Sequence, residues 1–421
     1  MSKSNHFFGQ PIFSQMINLI DSSIVSNAST HHNSDRYCKR FTTFQHLITM
    51  LYGVVSGCNS LRELSAGIVS YGTKISHCKF DYTPRRSTIS DANKRRSYLV
   101  FEDIYNALVN KYLPELSDSH KQLLIDKKVY AIDSTTIKLF QPIFNCVGRN
   151  ANSGKRKGGL KSHQKLDMQA GIPVKVYHSH ATEHDSMFIH HKDIMKPNEV
   201  ALMDKAYNNY KLFDQWNKSD IYFVTRLKNN AKEELIEEFE LKPATPDHIL
   251  RDAKIALSYK DDNAQEVKVE LRLVSFYHEE KNKAYYFLTN LFDLEAEQIA
   301  NLYKKRWQIE TLFKKIKQNF PLQYFYGENQ NAVQIQVWVT LIALLLISLM
   351  KKALEKSWAF SNLISLLQKH LFSYVKFKDF FDNMDTYIKD YEKNKGTPEE
   401  IAEQLAMEFT LGDRGLTILK S

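Results

Sequence analysis

Val129-Tyr130-Ala131-Ile132-Asp133 is a four-residue apolar run that follows Lys127-Lys128 and is closed by a carboxylate. A run this short, with branched and aromatic side chains, reads as a buried strand. Thr135, Ile137 and Leu139 alternate beyond it like a second strand. Leu166–Ala170 and Ile172–Tyr177, on either side of Gly171, give a third strand or a hairpin. A helix is expected over Asp185–Met195. Then comes another apolar run, Val200-Ala201-Leu202-Met203, and it too ends on a carboxylate, Asp204. Tyr207–Asn217 reads as a helix and Ile221–Thr225 as a strand.

Three strands, helix, strand, helix, strand is the element order of a ribonuclease H-like core, an α/β fold with a mixed sheet and helices on both faces. In such a core the first and fourth strands are neighbours, so Asp133 and Asp204 would sit side by side. Two carboxylates that close repel unless a cation lies between them. Either aspartate taken alone reads equally as a turn or N-cap residue.

The segments around this core differ in texture. Phe41–Val55 is apolar at helical spacing and breaks at Gly57, and Ser60-Leu61-Arg62-Glu63 supplies a capping box for the next helix. Another start follows Pro84, with Ser87 as the expected N-cap of a helix to about Leu113. Short helices with basic side chains near a helix start suit helix-turn-helix DNA binding, which makes Arg85, Arg86, Lys94, Arg95 and Arg96 candidate contacts. A solvated charged face would look the same. Residues 228–290 interrupt the core with a charged helix over Ala231–Glu240 and strands at Val267–Phe276 and Tyr285–Leu288. A long helix is expected from about Leu294 to Phe320. Val337–Met350 is too short an apolar run to cross a bilayer and reads as a buried core helix. The tail from Gly396 to Ser421 is charged and reads as helical. The expected division is a helical, basic domain over 1–120, the α/β core with its β-rich insertion over 121–327, and a helical region over 328–421 that is a candidate for dimerisation.

Charge and cysteine usage narrow the partners. The formal net charge is +9. Residues 1–100 hold 12 Lys/Arg against 5 Asp/Glu, whereas residues 228–275 hold 8 against 11. A basic first part beside an acidic later segment points to a dedicated polyanion-binding region. Lys155-Arg156-Lys157, among Gly154, Gly158 and Gly159, is a candidate phosphate-contacting loop or simply a solvated one. Cys38, Cys58, Cys78 and Cys146 form no CxxC pair and no zinc-ligand spacing, as expected of reduced thiols in a cytoplasmic protein with no membrane partner. His163, His184 and Asp185 lie near the expected strands, but a lone histidine is more often structural.

The long helix carries the third carboxylate. At about 100° per residue, Tyr303, Arg306, Glu310 and Lys317 share one narrow face. Leu302, Ile309, Phe313, Ile316 and Phe320 form a buried stripe beside it, and Lys304, Lys305, Gln308, Lys315 and Gln318 take the far side. Because Arg306 and Glu310 are four residues apart, a solvated salt-bridge ladder is the competing reading.

The spacing Tyr303-x2-Arg306-x3-Glu310-x6-Lys317 resembles the Y-R-E-K signature of bacterial DDE transposases of the insertion-sequence four group. Ala131-Ile132-Asp133-Ser134-Thr135 and Leu202-Met203-Asp204-Lys205-Ala206-Tyr207 resemble that family's two aspartate segments, although Gly is commoner where Ala206 stands. Phe223–Lys228 also fits, and Arg36 to about Ile68 resembles the N-terminal domain of one branch. The resemblance implies that Asp133, Asp204 and Glu310 are the catalytic carboxylates. They would hold Mg²⁺ ions (Mn²⁺ able to substitute), with Asp133 bridging two of them. It implies double-stranded DNA as substrate, cut and rejoined at transposon ends through a hairpin, and a homodimer to bring two ends together. Tyr303, Arg306 and Lys317 would clamp phosphates, with Arg226 a further DNA contact. A flipped base would have to rest on Tyr285 or Tyr286, since there is no Trp between Trp216 and Trp307. A resolvase-like or repair nuclease of the same fold, and a catalytically silent DNA-binding regulator derived from a transposase, are the rival readings.

Overall fold

The computed structural model describes residues 9–117, 125–138 and 159–384, apart from 182, 192 and 244. The candidate loop Lys155-Arg156-Lys157, Cys146 and the tail from Gly396 lie outside the described residues.

Six helices come first: α1 (Ile12–Asn18), α2 (Ser22–His31), α3 (Thr43–Val55), α4 (Leu61–Ser70), α5 (Arg86–Arg95) and α6 (Leu99–Leu116). Their starts follow local side-chain chemistry. Thr42 caps α3 by accepting from the Gln45 amide, and Ser60 caps α4 by accepting from Glu63, whose carboxylate reaches back to the Asn59 amide. The expected single helix from Ser87 to Leu113 is two helices. The chain turns extended at Arg96 (ψ 124°), because the Arg96 side chain is drawn into the interior. The start also lies two residues earlier than expected, with Arg85 rather than Ser87 at the N-cap.

Among the described residues nine strands form one sheet, β1 (Lys128–Lys138), β2 (Gly159–Asp167), β3 (Pro173–His180), β4 (Glu199–Met203), β5 (Tyr222–Arg226), β6 (Glu233–Glu238), β7 (Ile249–Lys260), β8 (Glu266–His278) and β9 (Lys283–Thr289). Their order is β3-β2-β1-β4-β5-β9-β8-β7-β6. β1, β4 and β5 are parallel neighbours, and the remaining pairs are antiparallel. The mixed core is therefore as expected, with Asp133 and Asp204 on neighbouring strands. Three details differ. Thr135 and Ile137 continue β1 and do not begin a second strand, because β2 pairs with the whole length from Tyr130 to Lys138. The hairpin around Gly171 (φ 68°) supplies the second and third strands. The expected helix Asp185–Met195 is reduced to a 3₁₀ stretch, Asp185–His190.

The insertion is not what the sequence suggested. Ala231–Glu240 contains no helix: Glu233–Glu238 is an edge strand exposed at every residue. Glutamate favours helix in isolation, but pairing with β7 satisfies this backbone. Arg251 on β7 holds Glu233 and Glu238, and Lys268 on β8 holds Glu234. A row of charges on an outermost strand also discourages edge-to-edge pairing with another chain. With β9 bonded to β5, the insertion extends the core sheet rather than forming a separate lobe.

Among the described residues five helices follow α7 (Tyr210–Asn217): α8 (Ala296–Lys305) and α9 (Trp307–Asn319), considered below, then α10 (Gln330–Lys352), α11 (Phe360–His370) and the short α12 (Phe377–Asp382). α10 is long and apolar enough to span a membrane, yet it is almost wholly buried inside the protein. α3 and α6 pack on it, and Trp338 reaches Tyr105 (5.5 Å between ring centroids) and His178 on β3 (5.0 Å). Gly53 on α3 permits the close approach of α4, since a Cβ there would meet the Leu64 Cδ1 at 2.4 Å. Helices from both ends of the chain thus share one apolar core. The Val333 to Met350 stretch, for which a dimer contact and an ordinary intrachain core were both open readings, is almost wholly buried inside the chain.

Candidate active site

β1 and β4 run parallel with Ile132 opposite Met203, so each strand delivers its next residue, Asp133 or Asp204, to the same edge. Beyond that point the strands part. β1 continues with Asp133 opposite Gln164 of β2, whereas Asp204 ends β4 and caps a 3₁₀ turn, Lys205–Tyr207, by accepting from the Ala206 amide at 3.1 Å. That turn needs only an N–H at Ala206 and no left-handed backbone, which is why alanine serves where glycine is commoner.

The expected continuous helix Leu294–Phe320 is broken at Arg306 into α8 and α9. Tyr303 and Arg306 therefore belong to the end of one helix and the junction, and Glu310 and Lys317 to the next. The four still face the sheet edge. Arg306, 8% exposed at its side chain, pairs with Glu310 at 2.6 Å and with Asp133 at 3.5 Å. Arg226, the last residue of β5, pairs with Asp204 at 2.6 Å. Both guanidiniums lie over the Tyr303 ring, 5.5 Å and 5.9 Å from its centroid. Lys317 is exposed and lines a narrow cavity with Thr135, Ser162 and Gln164 further along β1 and β2.

These surroundings treat the two aspartates differently. Burial pushes the Asp133 carboxyl up to about 6, against the pull of the Ser134 amide and Arg306, and the charges of Glu310 and Asp204 push it the same way. Asp204 is also desolvated, but the Ala206 amide and Arg226 outweigh that and hold it below the usual carboxylate range. All three carboxylates rest against a guanidinium. Among the described residues the one group of three potential ligand atoms within 4.8 Å of one another lies elsewhere, at His31, His32 and Asp103 in the helical region.

Two further features escaped the sequence. Asp185 accepts from the Ser134 hydroxyl at 2.5 Å and pairs with Lys161 at 3.2 Å, fixing the residue next to Asp133. Its place at the start of an expected helix was legible, but its partner on β1 was not. The neighbouring His163 is structural, bonded to Ser179, with burial lowering its pKa to about 4. The second feature is a cavity of 270 Å³ beside the arginines, walled by Arg226, Tyr285, Phe287, Tyr303, Arg306 and Trp307. Phe287 stands 4.8 Å from Tyr303, and Tyr285 lies parallel to Phe287. Tyr285 lines the cavity and Tyr286, on the opposite face of β9, does not. The tryptophan at its rim is Trp307 itself, 63% exposed.

In the helical region Arg85, Arg86, Lys94 and Arg95 are exposed. Arg86 and Lys94 line a groove of 940 Å³ together with Ser60, Arg62 and Asn329; Arg62 was not anticipated. Arg96 is a correction. It is 6% exposed and spent on Ser34, Asp35, His46 and the Phe41 carbonyl, so it cannot reach DNA.

Two family models match parts of the chain. A family described as a transposase DDE domain matches residues 125–346, more than half of the chain. A family described as a domain of unknown function (DUF4372) matches residues 8–78. A putative transposase of Sinorhizobium fredii is 28% identical over 263 residues, which is 62% of this chain and 70% of the relative. A putative transposase for insertion sequence element IS4SA of Synechocystis is 28% identical over 273 residues, 63% of this chain and 71% of the relative. Among solved structures, a piggyBac transposase synaptic complex with hairpin DNA gives a TM-score of 0.41 at 11% identity, over 92% of this chain and 86% of that one. Both aspartate-bearing strand ends and the Glu310 helix fall inside the matched span, and the chain belongs to the DDE transposase family, enzymes that cleave DNA and transfer the cut strand.

Proposed function

We propose that this chain cuts the terminal inverted repeats of an insertion sequence and joins the freed ends to target DNA, with Asp133, Asp204 and Glu310 holding Mg²⁺. The observation that carries the reading is the parallel register of β1 and β4, which brings two carboxylates to one edge beneath the Glu310 helix. The donor set suits the ion: three carboxylates are the hard oxygen ligands Mg²⁺ takes, and Mn²⁺ fits the same set. The mutual repulsion that helps raise Asp133 is what a bound cation relieves. When bound, the metal activates an oxygen nucleophile and stabilises the leaving oxygen of the phosphodiester.

The chain's own side chains do the rest. Arg226 and Arg306, now spent on carboxylates, are placed to turn to the scissile phosphate and its neighbour, where two parallel N–H donors per guanidinium fix the strand. Tyr303 supports both arginines from below. Lys317 extends the phosphate track along β1. The cavity between Tyr285, Tyr303 and Trp307 accepts an unstacked base next to the cut, as a hairpin pathway requires. Duplex DNA lies across the exposed Arg85, Arg86, Lys94 and Arg95 and the groove that Arg86 and Lys94 border. Two chains join two ends, so a homodimer forms in the DNA complex.

The test is incubation of the purified chain with Mg²⁺ and duplexes bearing the element's own ends. End-specific nicking and strand joining, lost in Asp133→Ala, Asp204→Ala and Glu310→Ala, supports the reading. Binding of ends without any cutting means a DNA-binding regulator instead, and cutting of branched DNA without end preference means a resolvase.

A further inference from the structure

The segment joining α2 to α3, residues 32–42, is tied down on its inner side. Asp35 accepts from the Thr43 amide at 2.6 Å, the Thr43 hydroxyl at 2.9 Å and the Ser29 hydroxyl at 2.7 Å, and pairs with buried Arg96 at 3.1 Å. Arg96 also donates to the Phe41 carbonyl at 3.0 Å and to the Ser34 hydroxyl at 2.8 Å. Both ends of the segment are therefore held by one buried network. Its outer side is the reverse: Arg36, Tyr37, Lys39 and Arg40 are exposed, and Cys38, exposed too, turns its Sγ to within 3.6 Å of Arg96.

Tyr37 is the unusual member. It is 89% exposed, more than any other large hydrophobic side chain among the described residues, and its backbone is left-handed (φ 63°). A bulky residue in that region carries strain, and strain persists where surrounding structure enforces it, often at ligand clamps. Packing within the fold does not repay it, because the ring faces water with only the Arg36 guanidinium over it at 5.0 Å. No carboxylate stands between Arg36 and Phe41, and the adjoining Asp35 is engaged with Arg96. The surface continues past the segment. Phe41 packs edge-on against Tyr82 at 6.3 Å, Arg40 acts electrostatically on the Tyr82 hydroxyl, and the chain runs on from there to exposed Arg85.

We propose that residues 36–40 form a DNA-contacting loop in which Arg36, Lys39 and Arg40 bind backbone phosphates and the upright Tyr37 ring lies against a base or sugar. This rests on the transposase reading and adds to it a docking surface separate from the carboxylates. Three cations without a competing acid supply the phosphate term, and one rigid aromatic supplies a flat contact that tolerates any base. A bilayer is a poorer match, since a single tyrosine buries too little apolar surface for interfacial anchoring.

The experiment uses the full chain, a duplex of the element's terminal inverted repeat and a scrambled duplex of equal length. Affinity is measured over a range of NaCl concentrations. The triple variant Arg36→Ala/Lys39→Ala/Arg40→Ala is expected to flatten the log–log salt dependence by about 2.7, at about 0.9 per phosphate contact. Tyr37→Ala is expected to weaken binding roughly 5–150-fold. A readout without any change to the loop comes from Cys38, which is exposed, whereas Cys58 and Cys78 are buried with thiols pushed up to about 12. Peptide mass spectrometry should show bound duplex slowing alkylation at Cys38. A wild-type salt slope in the triple variant, with Cys38 alkylated equally fast with and without DNA, overturns the loop proposal while end cleavage survives. A wild-type chain that binds neither duplex overturns the transposase reading itself.

Discussion

Arg306 lies between Glu310, at 2.6 Å, and Asp133, at 3.5 Å, so one guanidinium neutralises two of the three carboxylates. A positive side chain stands where the proposed chemistry requires a metal, and the break between α8 and α9 falls on that same residue. Arg306→Gln should therefore leave an unpaired acidic cluster. The metal-free variant is expected to lose about 1–3 kcal/mol of stability, taken below the full cost of breaking a buried pair because Glu310 is a third exposed. Adding Mg²⁺ should restore more of the melting temperature in the variant than in the wild type. Equal gains in both proteins would mean that arginine and metal do not share the site.

Asp133 sets a pH dependence whose sign can be worked out. Its carboxyl is raised from 3.8 to about 6, so the folded protein binds the proton more tightly than the unfolded chain. This contribution is fully present below pH 3.8 and is lost as pH rises through about 6. Asp133→Asn should then stabilise the chain in EDTA at pH 7–8, by on the order of 1–3 kcal/mol, while abolishing cleavage. Metal binding needs the ionised form, so apparent Mn²⁺ affinity of the wild type should fall as pH drops below about 6. Calorimetric titration at pH 5, 6 and 7.5 checks this, and a flat profile would contradict it.

The cavity beside Tyr303 is open to substitution from its rim. Trp307→Ala and Tyr285→Ala should each weaken capture of an unstacked base by about 1–3 kcal/mol, the range for base–aromatic stacking. First-strand nicking should be nearly unchanged and the second-strand step slowed. Time courses on duplexes labelled at either strand separate the two steps, and equal slowing of both would contradict the assignment.

Arg96 and Lys94 separate fold from binding within two residues. Arg96→Ala removes the centre of a network that includes Asp35, His46 and the Phe41 carbonyl. It should cost about 3 kcal/mol or more in thermal or urea unfolding. Lys94→Ala should leave unfolding unchanged and reduce the salt dependence of DNA binding by about 1.

What could be read in advance follows the range of the interactions. The ends of β1 and β4 were legible because four apolar residues closed by an aspartate is a local pattern, and parallel pairing is implied by element order. The Glu233–Glu238 strand was not, because its glutamates favour helix until β7 supplies a partner about twenty residues later. The Arg306 break escaped notice because a single αR residue between two helices leaves the apolar spacing of Leu302, Ile309 and Phe313 undisturbed. Arg96 looked like its exposed neighbours Lys94 and Arg95. Only the distant Asp35 and His46 mark it as internal.

α10 bears on how such a chain can be cut and recombined. The first six helices cannot be lifted out as a cassette, since α3 and α6 close on a helix that follows the whole α/β core in sequence. A fragment ending before Gln330 would leave the apolar faces of α3 and α6 wet, and one starting at β1 would do the same to α10. Chimaeras that exchange DNA preference between relatives should therefore carry α10 along with residues 9–117, even though the two stretches lie far apart in the open reading frame.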